Sequence, residues 1–241
     1  MTTRTADTSP LVRARVAGFL YLGLGLFGPF SLLYVPSTLI VRGDAATTAQ
    51  NLMASESLFR LSIVSALLEA IVYIFVVLAL YQLLKPVNKN MAWLMVIFVL
   101  LAVPIRMLNE LNPLAVLLLL SGADYLKVFT ADQLQALVML FLDLHRHGIL
   151  VASIFWGFWL LPFGLLVYKS GFLPRILGVL LIIACFGYLV NSLTHLLFPG
   201  YGAVVARLAT VLYFGELPIV LWLLIKGVNV EQWEKRALES A

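Results

Sequence analysis

The chain has 241 residues, of which 62% are hydrophobic and only 12% are charged, and its mean hydropathy is +1.02. Soluble domains carry about 25% charged residues, so this composition excludes an ordinary water-soluble protein and predicts a lipid bilayer as the main partner. The net charge is +4, but no basic stripe with interleaved aromatic residues indicates a nucleic-acid partner.

Six apolar stretches are each long enough to cross a bilayer as a helix, which takes about 20 residues. Helices are expected because lipid offers the backbone no hydrogen-bond partners. The predicted spans are residues 16–41, 61–84, 91–120, 148–168, 174–198 and 203–225. The predicted organisation is a cytoplasmic N-terminal segment (1–15), a transmembrane domain (16–228) and a cytoplasmic tail (229–241).

The orientation follows from the basic residues, which collect at one set of loops and at both termini. They are Arg4, Arg13, Arg15, Lys85, Lys89, Lys169, Arg175, Lys226, Lys235 and Arg236. Basic residues stay on the cytoplasmic side of a membrane, so both termini are predicted to lie in the cytoplasm and the protein in the plasma membrane. The first apolar run is too long for a signal-peptide core and is predicted to be retained.

The two larger loops on the other side are predicted to be helical and to lie at the membrane surface. Asp44 is a residue type that caps a helix start, and Thr130 with Gln133 has the spacing of a capping box. A helix over 131–168 would be about 57 Å long, more than a bilayer needs, so we expect a bend at Gly148. The predicted fold is an all-α integral membrane bundle of six transmembrane helices with two outer interfacial helices.

Polar residues inside the spans are the candidates for function, because each charge costs about 2.5–3.5 kcal/mol on insertion scales. Most of them fall in the outer half, and Glu216 lies deeper. They are Glu69, Arg106, Asn109, Glu110, Asn191, His195, Arg207 and Glu216. We expect them to line one outward-opening pocket for a small molecule or an ion. Arg106 and Glu110 share a helix face, and a network of ion pairs that only fixes the helices is the alternative.

The three histidines, His145, His147 and His195, fall at the same outer level. Imidazole and carboxylate are common metal ligands, and His147 with His195 could ligate haem from two helices. His145 and His147 are two residues apart, however, and point to different sides of a helix. Hydrogen-bonded interfacial histidines are the favoured interpretation, so neither a metal nor a cofactor is predicted.

Several short motifs together resemble one family of prokaryotic membrane proteins, called domain of unknown function 4386. They are SLFRL at 57–61, LLKPVN at 83–88, LSGADYL at 120–126, SGFLPRILG at 170–178 and GEL at 215–217. The resemblance covers residues 16–228 and implies an integral membrane protein of bacterial type, in the inner membrane. It transfers no catalytic residue, but Arg60, Arg175 and Glu216 fall within the shared motifs.

Three classes of function are consistent with these patterns. The first is binding or transport of a small molecule or ion through the polar pocket. The second is an accessory protein without a ligand, which interacts through its apolar helix faces. The third is a membrane-embedded enzyme that uses a metal or haem at the histidines. Binding or transport is the preferred hypothesis.

Overall fold

The computed structural model describes residues 9–240, which form helices joined by short connections, without a β-strand. Six helical stretches in this part of the chain are long and apolar enough to cross a membrane. Numbered as spans 1 to 6, they are Pro10–Leu39, Glu56–Leu84, Lys89–Leu119, Ala131–Ser170, Arg175–Leu197 and Pro199–Ile225. The predicted all-α integral membrane fold with six spans is confirmed. Arg4, used above to assign the orientation, lies outside the described residues.

Span 1 begins at Pro10, earlier than the predicted start at residue 16. Proline suits the first position of a helix, because its missing N–H would have no partner there and its φ is already helical. The span changes from α-helix to a π-helical segment at Phe30–Tyr34 and returns to α-helix at Val35–Leu39. Such π-helical segments are rare and occur frequently at functional sites.

Span 3 is interrupted at Glu110, between helices Lys89–Asn109 and Leu111–Leu119. Pro113 has no N–H and therefore cannot donate the helical bond to the Asn109 carbonyl. The side chain of Asn112 replaces it, since its Nδ2 donates to Asn109 O at 3.1 Å. One side chain thus satisfies a carbonyl that the proline leaves without its backbone donor.

Span 6 is interrupted in the same way at Phe214–Glu216, a 3₁₀ turn between helices Gly202–Tyr213 and Leu217–Ile225. Pro218 cannot donate to the Phe214 carbonyl, which instead accepts the N–H of Leu217. The tighter turn therefore follows from the proline, and it places Glu216 at the junction of the two helical segments.

Span 4 is one helix of 40 residues, Ala131–Ser170, which is about 60 Å long at 1.5 Å per residue. Its predicted capping box is present: Thr130 N donates to Gln133 Oε1 at 2.9 Å, and Gln133 N donates to Thr130 Oγ1 at 3.3 Å. Helical structure continues through Gly148, where we expected a bend. The predicted outer helix and the predicted fourth span are therefore parts of one continuous helix, and a bend at Gly148 stays a prediction.

The other predicted outer helix is Ala45–Ala54, and Asp44 caps it as expected. Asp44 Oδ1 accepts the backbone N–H of Thr47 at 2.9 Å, and Oδ2 accepts its hydroxyl at 2.7 Å. These bonds favour the charged carboxylate and hold the pKa of Asp44 below its usual value.

The residues described here group into two compact units. Unit 1 contains residues 9–22, 72–102 and 153–240, and unit 2 contains residues 23–71 and 103–152. Spans 1 to 4 contribute to both units, and spans 5 and 6 belong to unit 1. The core of unit 2 is built from Val35, Leu39, Leu52, Phe59, Ile63, Val116, Leu117, Val138 and Leu142. Fully buried side chains of unit 1 include Leu80, Met95, Trp159, Phe163, Leu181 and Leu223.

A C-terminal helix, Val230–Glu239, packs within unit 1. Trp233 Nε1 donates to the carbonyl of Leu83 at 2.8 Å, and Arg236 Nη2 donates to the carbonyl of Lys169 at 3.2 Å. Both carbonyls lie in the last turn of a span, where the helix itself supplies no donor. The predicted cytoplasmic tail therefore contains a helix whose side chains donate hydrogen bonds to backbone carbonyls at the ends of spans 2 and 4.

Candidate functional site

Four titratable side chains meet in unit 2, and we name them the arginine cluster: Glu69, Arg106, Glu110 and His145. Arg106 Nη1 contacts Glu110 Oε1, and Arg106 Nη2 lies 3.4 Å from Glu69 Oε2. His145 Nε2 lies 3.0 Å from the same Glu110 oxygen. Arg106 is 2% exposed and Glu110 is 3% exposed, so these charges are withdrawn from both water and lipid.

Span 1 reaches this cluster through its π-helical segment. Ser31, inside that segment, is buried; its Oγ donates to Gly28 O at 3.2 Å and lies 3.4 Å from Arg106 Nη2. A Cβ on Gly28 would lie 2.7 Å from Glu69 Oε1. Glycine is therefore required at position 28 for the carboxylate to approach the backbone so closely.

Span 4 reaches the cluster through Asn109 and Gly148. Asn109 Nδ2 donates to the backbone carbonyl of His145 at 2.8 Å. A Cβ on Gly148 would overlap the amide group of Asn109. Glycine at 148 thus creates the space that lets an asparagine of span 3 bond to span 4, and it does so without ending the helix.

The formal charges of the arginine cluster do not balance when His145 is neutral, because one arginine faces two glutamates. They balance when a proton or another monovalent cation adds one positive charge to the cluster. Arg106 Nε is also buried, and no described residue accepts a hydrogen bond from it. The arrangement can therefore hold one further positive charge, and it retains one unused N–H donor.

A second group lies in unit 1, and we name it the tyrosine cluster: Tyr21, Tyr188, Asn191, Tyr213 and Glu216. The hydroxyl of Tyr21 donates to Glu216 Oε2, and Tyr188 lies near this carboxyl. The rings of Tyr188 and Tyr213 stack with centroids 4.1 Å apart. The side chain of Asn191 lies near Tyr213, and its Oδ1 is buried without a partner among the described residues.

Further aromatic rings surround the tyrosine cluster. Tyr21 lies 5.8 Å from Trp159 and 6.4 Å from Phe163, measured between ring centroids. Tyr188 meets Trp156 edge to face at 6.5 Å. Within residues 9–240, no lysine, arginine or histidine forms an ion pair with Glu216. The hydrogen bond shown for this carboxyl comes from the hydroxyl of Tyr21.

The eight site residues predicted from the sequence divide equally between the two units. Glu69, Arg106, Asn109 and Glu110 meet in unit 2, whereas the others lie in unit 1: Asn191, His195, Arg207 and Glu216. Asn191 and Glu216 belong to the tyrosine cluster. Arg207 is exposed on span 6. A single pocket lined by all eight residues remains a prediction.

The two histidines considered for a metal or haem are in different units. His147, in unit 2, is exposed and bonds the carbonyl of Asp143 through Nδ1 at 2.8 Å. His195, in unit 1, bonds the carbonyl of Asn191 through Nδ1 at 2.9 Å. Among residues 9–240, no group of three or more His, Cys, Asp or Glu side chains is placed to hold a metal ion.

Sequence reasoning missed the three tyrosines that accompany Glu216. Tyrosines in membrane helices usually lie at the interface, and a buried tyrosine hydroxyl normally finds a partner. A tyrosine well inside a span, as at position 188, is therefore the signal that could have indicated a hydrogen-bond acceptor, such as a carboxyl group, inside the membrane.

Comparison with known proteins extends these observations. Residues 16–227 match the family described as "Domain of unknown function (DUF4386)". An uncharacterized protein from Archaeoglobus fulgidus is 33% identical to the chain over 172 residues, which is 71% of this chain and 86% of that protein. No solved structure matches the chain. The family match covers the motifs at 57–61, 83–88, 120–126, 170–178 and 215–217, as the resemblance implied. The chain is thus a six-span integral membrane protein that belongs to the DUF4386 family.

Proposed function

We propose that this protein binds one proton or one monovalent metal cation at the arginine cluster and couples that event to binding or transport of a small molecule. The observation that carries the proposal is the charge imbalance of Glu69, Arg106 and Glu110 at a buried position inside the spans. Intramembrane ionisable residues are costly and usually mark ion or substrate pathways. A proton and a metal cation share the required chemistry, which is one positive charge.

Two further features support this proposal. Span 1 contributes a π-helical segment and span 3 an interruption at the cluster, and interrupted helices commonly form the ion sites of transporters. His145 Nε2, at 3.0 Å from Glu110 Oε1, brings a side chain of span 4 into contact with the same carboxylate.

The proposal includes an orientation. The loops near Glu69 and Glu110 carry few basic residues, whereas the opposite ends carry Lys85, Lys89 and Lys169, among others. By the distribution of basic residues, both termini lie in the cytoplasm, the protein lies in the plasma membrane, and the arginine cluster lies toward the outside. A bacterial inner membrane is part of the same proposal.

The test uses purified protein in mild detergent and measures its melting temperature. Sodium chloride is titrated against choline chloride at constant ionic strength, and pH is varied separately. We expect the melting temperature to respond to sodium if the ligand is a metal cation, or to pH alone if it is a proton. Glu69→Gln balances the charges of the cluster and should remove that response. Glu56→Gln is the matched control, because Glu56 pairs with Arg60 at the surface, where both side chains are more than half exposed.

Two outcomes would contradict the proposal. The first is a wild-type melting temperature that responds to sodium and to pH no more than the Glu69→Gln variant does. The second concerns two variants. Glu69→Gln unfolds in detergent, whereas the triple variant with Arg106→Met, Glu69→Gln and Glu110→Gln is stable and its melting temperature responds to neither sodium nor pH. In that case the cluster only holds the helices together, as the alternative interpretation of the sequence states.

A further inference from the structure

Glu216 differs from the carboxyls of the arginine cluster because no cationic side chain of the described residues pairs with it. We propose that the tyrosine cluster binds an amphiphilic organic cation, whose primary ammonium group pairs with Glu216 and whose apolar part lies among the aromatic rings. This site is separate from the arginine cluster and does not depend on the function proposed for it.

The carboxyl supplies the charge that an ammonium group needs. Glu216 accepts a hydrogen bond from the hydroxyl of Tyr21. This bond orients the carboxyl and supplies no positive charge. Because an unpaired charge inside a membrane is costly, a positively charged ligand would be bound more strongly here than at an exposed carboxylate.

Asn191 supplies a second acceptor. Its Oδ1 is buried and has no partner among residues 9–240, and its side chain lies near Tyr213. Tyr213 stacks on Tyr188, which lies near Glu216. A primary ammonium group has three N–H donors, and in the proposed complex one donates to this oxygen and another to the carboxylate.

The aromatic rings of the tyrosine cluster and its neighbours favour an organic cation over a metal ion. A metal cation inside a membrane needs a shell of oxygens, as carbonyl rings provide in channels. The tyrosines of this cluster pack against further rings, since Trp159 lies beside Tyr21 and Trp156 beside Tyr188. Aromatic rings attract organic cations and also pack against their apolar parts.

The position of Glu216 in span 6 indicates that such a ligand would enter the site from the lipid. Glu216 is partly exposed, and its neighbours Phe214 and Leu217 are 62% and 48% exposed. In an integral membrane protein these apolar side chains face the hydrocarbon. A ligand that enters between them must itself partition into lipid, which requires an apolar body attached to the ammonium group.

The experiment uses the full chain in detergent and measures binding of 2-phenylethylammonium chloride by calorimetry at fixed pH and ionic strength. The neutral analogue 2-phenylethanol and the N,N,N-trimethyl derivative are measured in parallel. We expect binding of the ammonium compound, no measurable binding of the alcohol, and several-fold weaker binding of the trimethyl compound, which has no N–H for Asn191. Glu216→Gln should weaken binding by about tenfold or more, since a hydrogen bond to a charged group is worth at least that factor.

Glu56→Gln again serves as the matched surface control and should bind like the wild type. The proposal is overturned if the wild type does not bind the ammonium compound, if the alcohol binds equally well, or if Glu216→Gln binds with wild-type affinity. Should Glu216→Gln fail to fold, Asn191→Leu and Tyr188→Phe replace it, and unchanged affinity in both overturns the proposal. The sodium and pH responses of Glu216→Gln report on the arginine cluster separately, so either proposal can fail while the other stands.

Discussion

The arginine cluster and the tyrosine cluster place carboxyl groups inside membrane spans in two different ways. In unit 2, Glu69 and Glu110 share one guanidinium, and the imidazole of His145 lies 3.0 Å from Glu110. In unit 1, Glu216 is bonded by the hydroxyl of Tyr21 and lies near Tyr188. The first carboxyls are mostly compensated by a built-in cation, whereas the second is only hydrogen-bonded.

This difference predicts different costs when a charged side chain is removed. Removing the cation of a buried ion pair leaves its partners uncompensated, which is strongly destabilising. Removing a carboxylate that no cation pairs with leaves no charge behind. We therefore expect loss of Arg106 to act mainly on stability and loss of Glu216 to act mainly on binding.

The largest effect is expected for Arg106→Ala. It leaves Glu69 and Glu110 without their common cation and should lower the free energy of unfolding by about 3–5 kcal/mol. The measurement is unfolding in mixed micelles of dodecyl maltoside and dodecyl sulfate. Arg60→Ala is the control, because the exposed pair of Arg60 with Glu56 should contribute less than about 1 kcal/mol. Equal effects of the two substitutions would mean that the arginine cluster does not compensate its charges as described.

The next effect is expected for Gly148→Ala. The added methyl group overlaps the amide of Asn109, so the bond from Asn109 to the carbonyl of His145 must be lost or displaced, at a cost of about 1–3 kcal/mol. The same unfolding measurement applies. Gly25→Ala is the control, since a Cβ at Gly25 would meet no atom within 4 Å. A Gly148→Ala variant as stable as Gly25→Ala would show that the Asn109 contact contributes nothing to unit 2.

A smaller effect is expected for Tyr21→Phe. Glu216 loses the hydroxyl donor of Tyr21, and the free energy of unfolding should fall by about 0.5–1.5 kcal/mol. Combining Tyr21→Phe with Glu216→Gln in a double-mutant cycle isolates the interaction between the two side chains. Tyr34→Phe provides the control, because Tyr34 is an exposed residue stacked on Phe30. If Tyr21→Phe costs as much as Arg106→Ala, the contrast between the two clusters fails.

The smallest effect concerns Asp44, which caps the helix Ala45–Ala54 outside both clusters. Its pKa is lowered in the folded protein by the bonds from Thr47. The stabilisation from the cap is therefore complete above the pKa of the unfolded state and is lost as pH falls through the lower pKa of the folded state. Amide hydrogen exchange of residues 45–54 against pH measures this loss. Asp44→Asn should remove the pH dependence while retaining a cap, and a variant that keeps the dependence would assign it to another group. This measurement separates the titration of the cap from that of the arginine cluster.

Much of the fold could be predicted because it depends on local chemistry. The length and apolar character of the spans follow from the thickness of the bilayer, and the caps at Asp44 and Thr130 follow from the need of the first helical N–H groups for acceptors. The pairing of Arg106 with Glu110 follows from their spacing on one helix. Each of these predictions needs only residues that are neighbours along the chain.

The remainder depends on which spans come together, and no local pattern contains that information. Tyr21 and Glu216 are far apart in the sequence, and their contact requires spans 1 and 6 to pack in unit 1. Gly148 illustrates the same point. Its sequence context predicted a bend, but it did not indicate that the absence of a side chain leaves room for Asn109 of span 3. The effect of a glycine depends on the residues packed against it, so the sequence alone does not distinguish a bend from a close contact.

The pairing of Asn112 with Pro113 has a consequence for how sequences of this family can change. The amide of Asn112 replaces the N–H that Pro113 lacks, so neither residue can be understood alone. A substitution of Asn112 would leave the Asn109 carbonyl without that bond unless the proline were also replaced. We therefore expect the two positions to vary together during evolution, with proline at 113 tolerated only where the preceding side chain can donate a hydrogen bond.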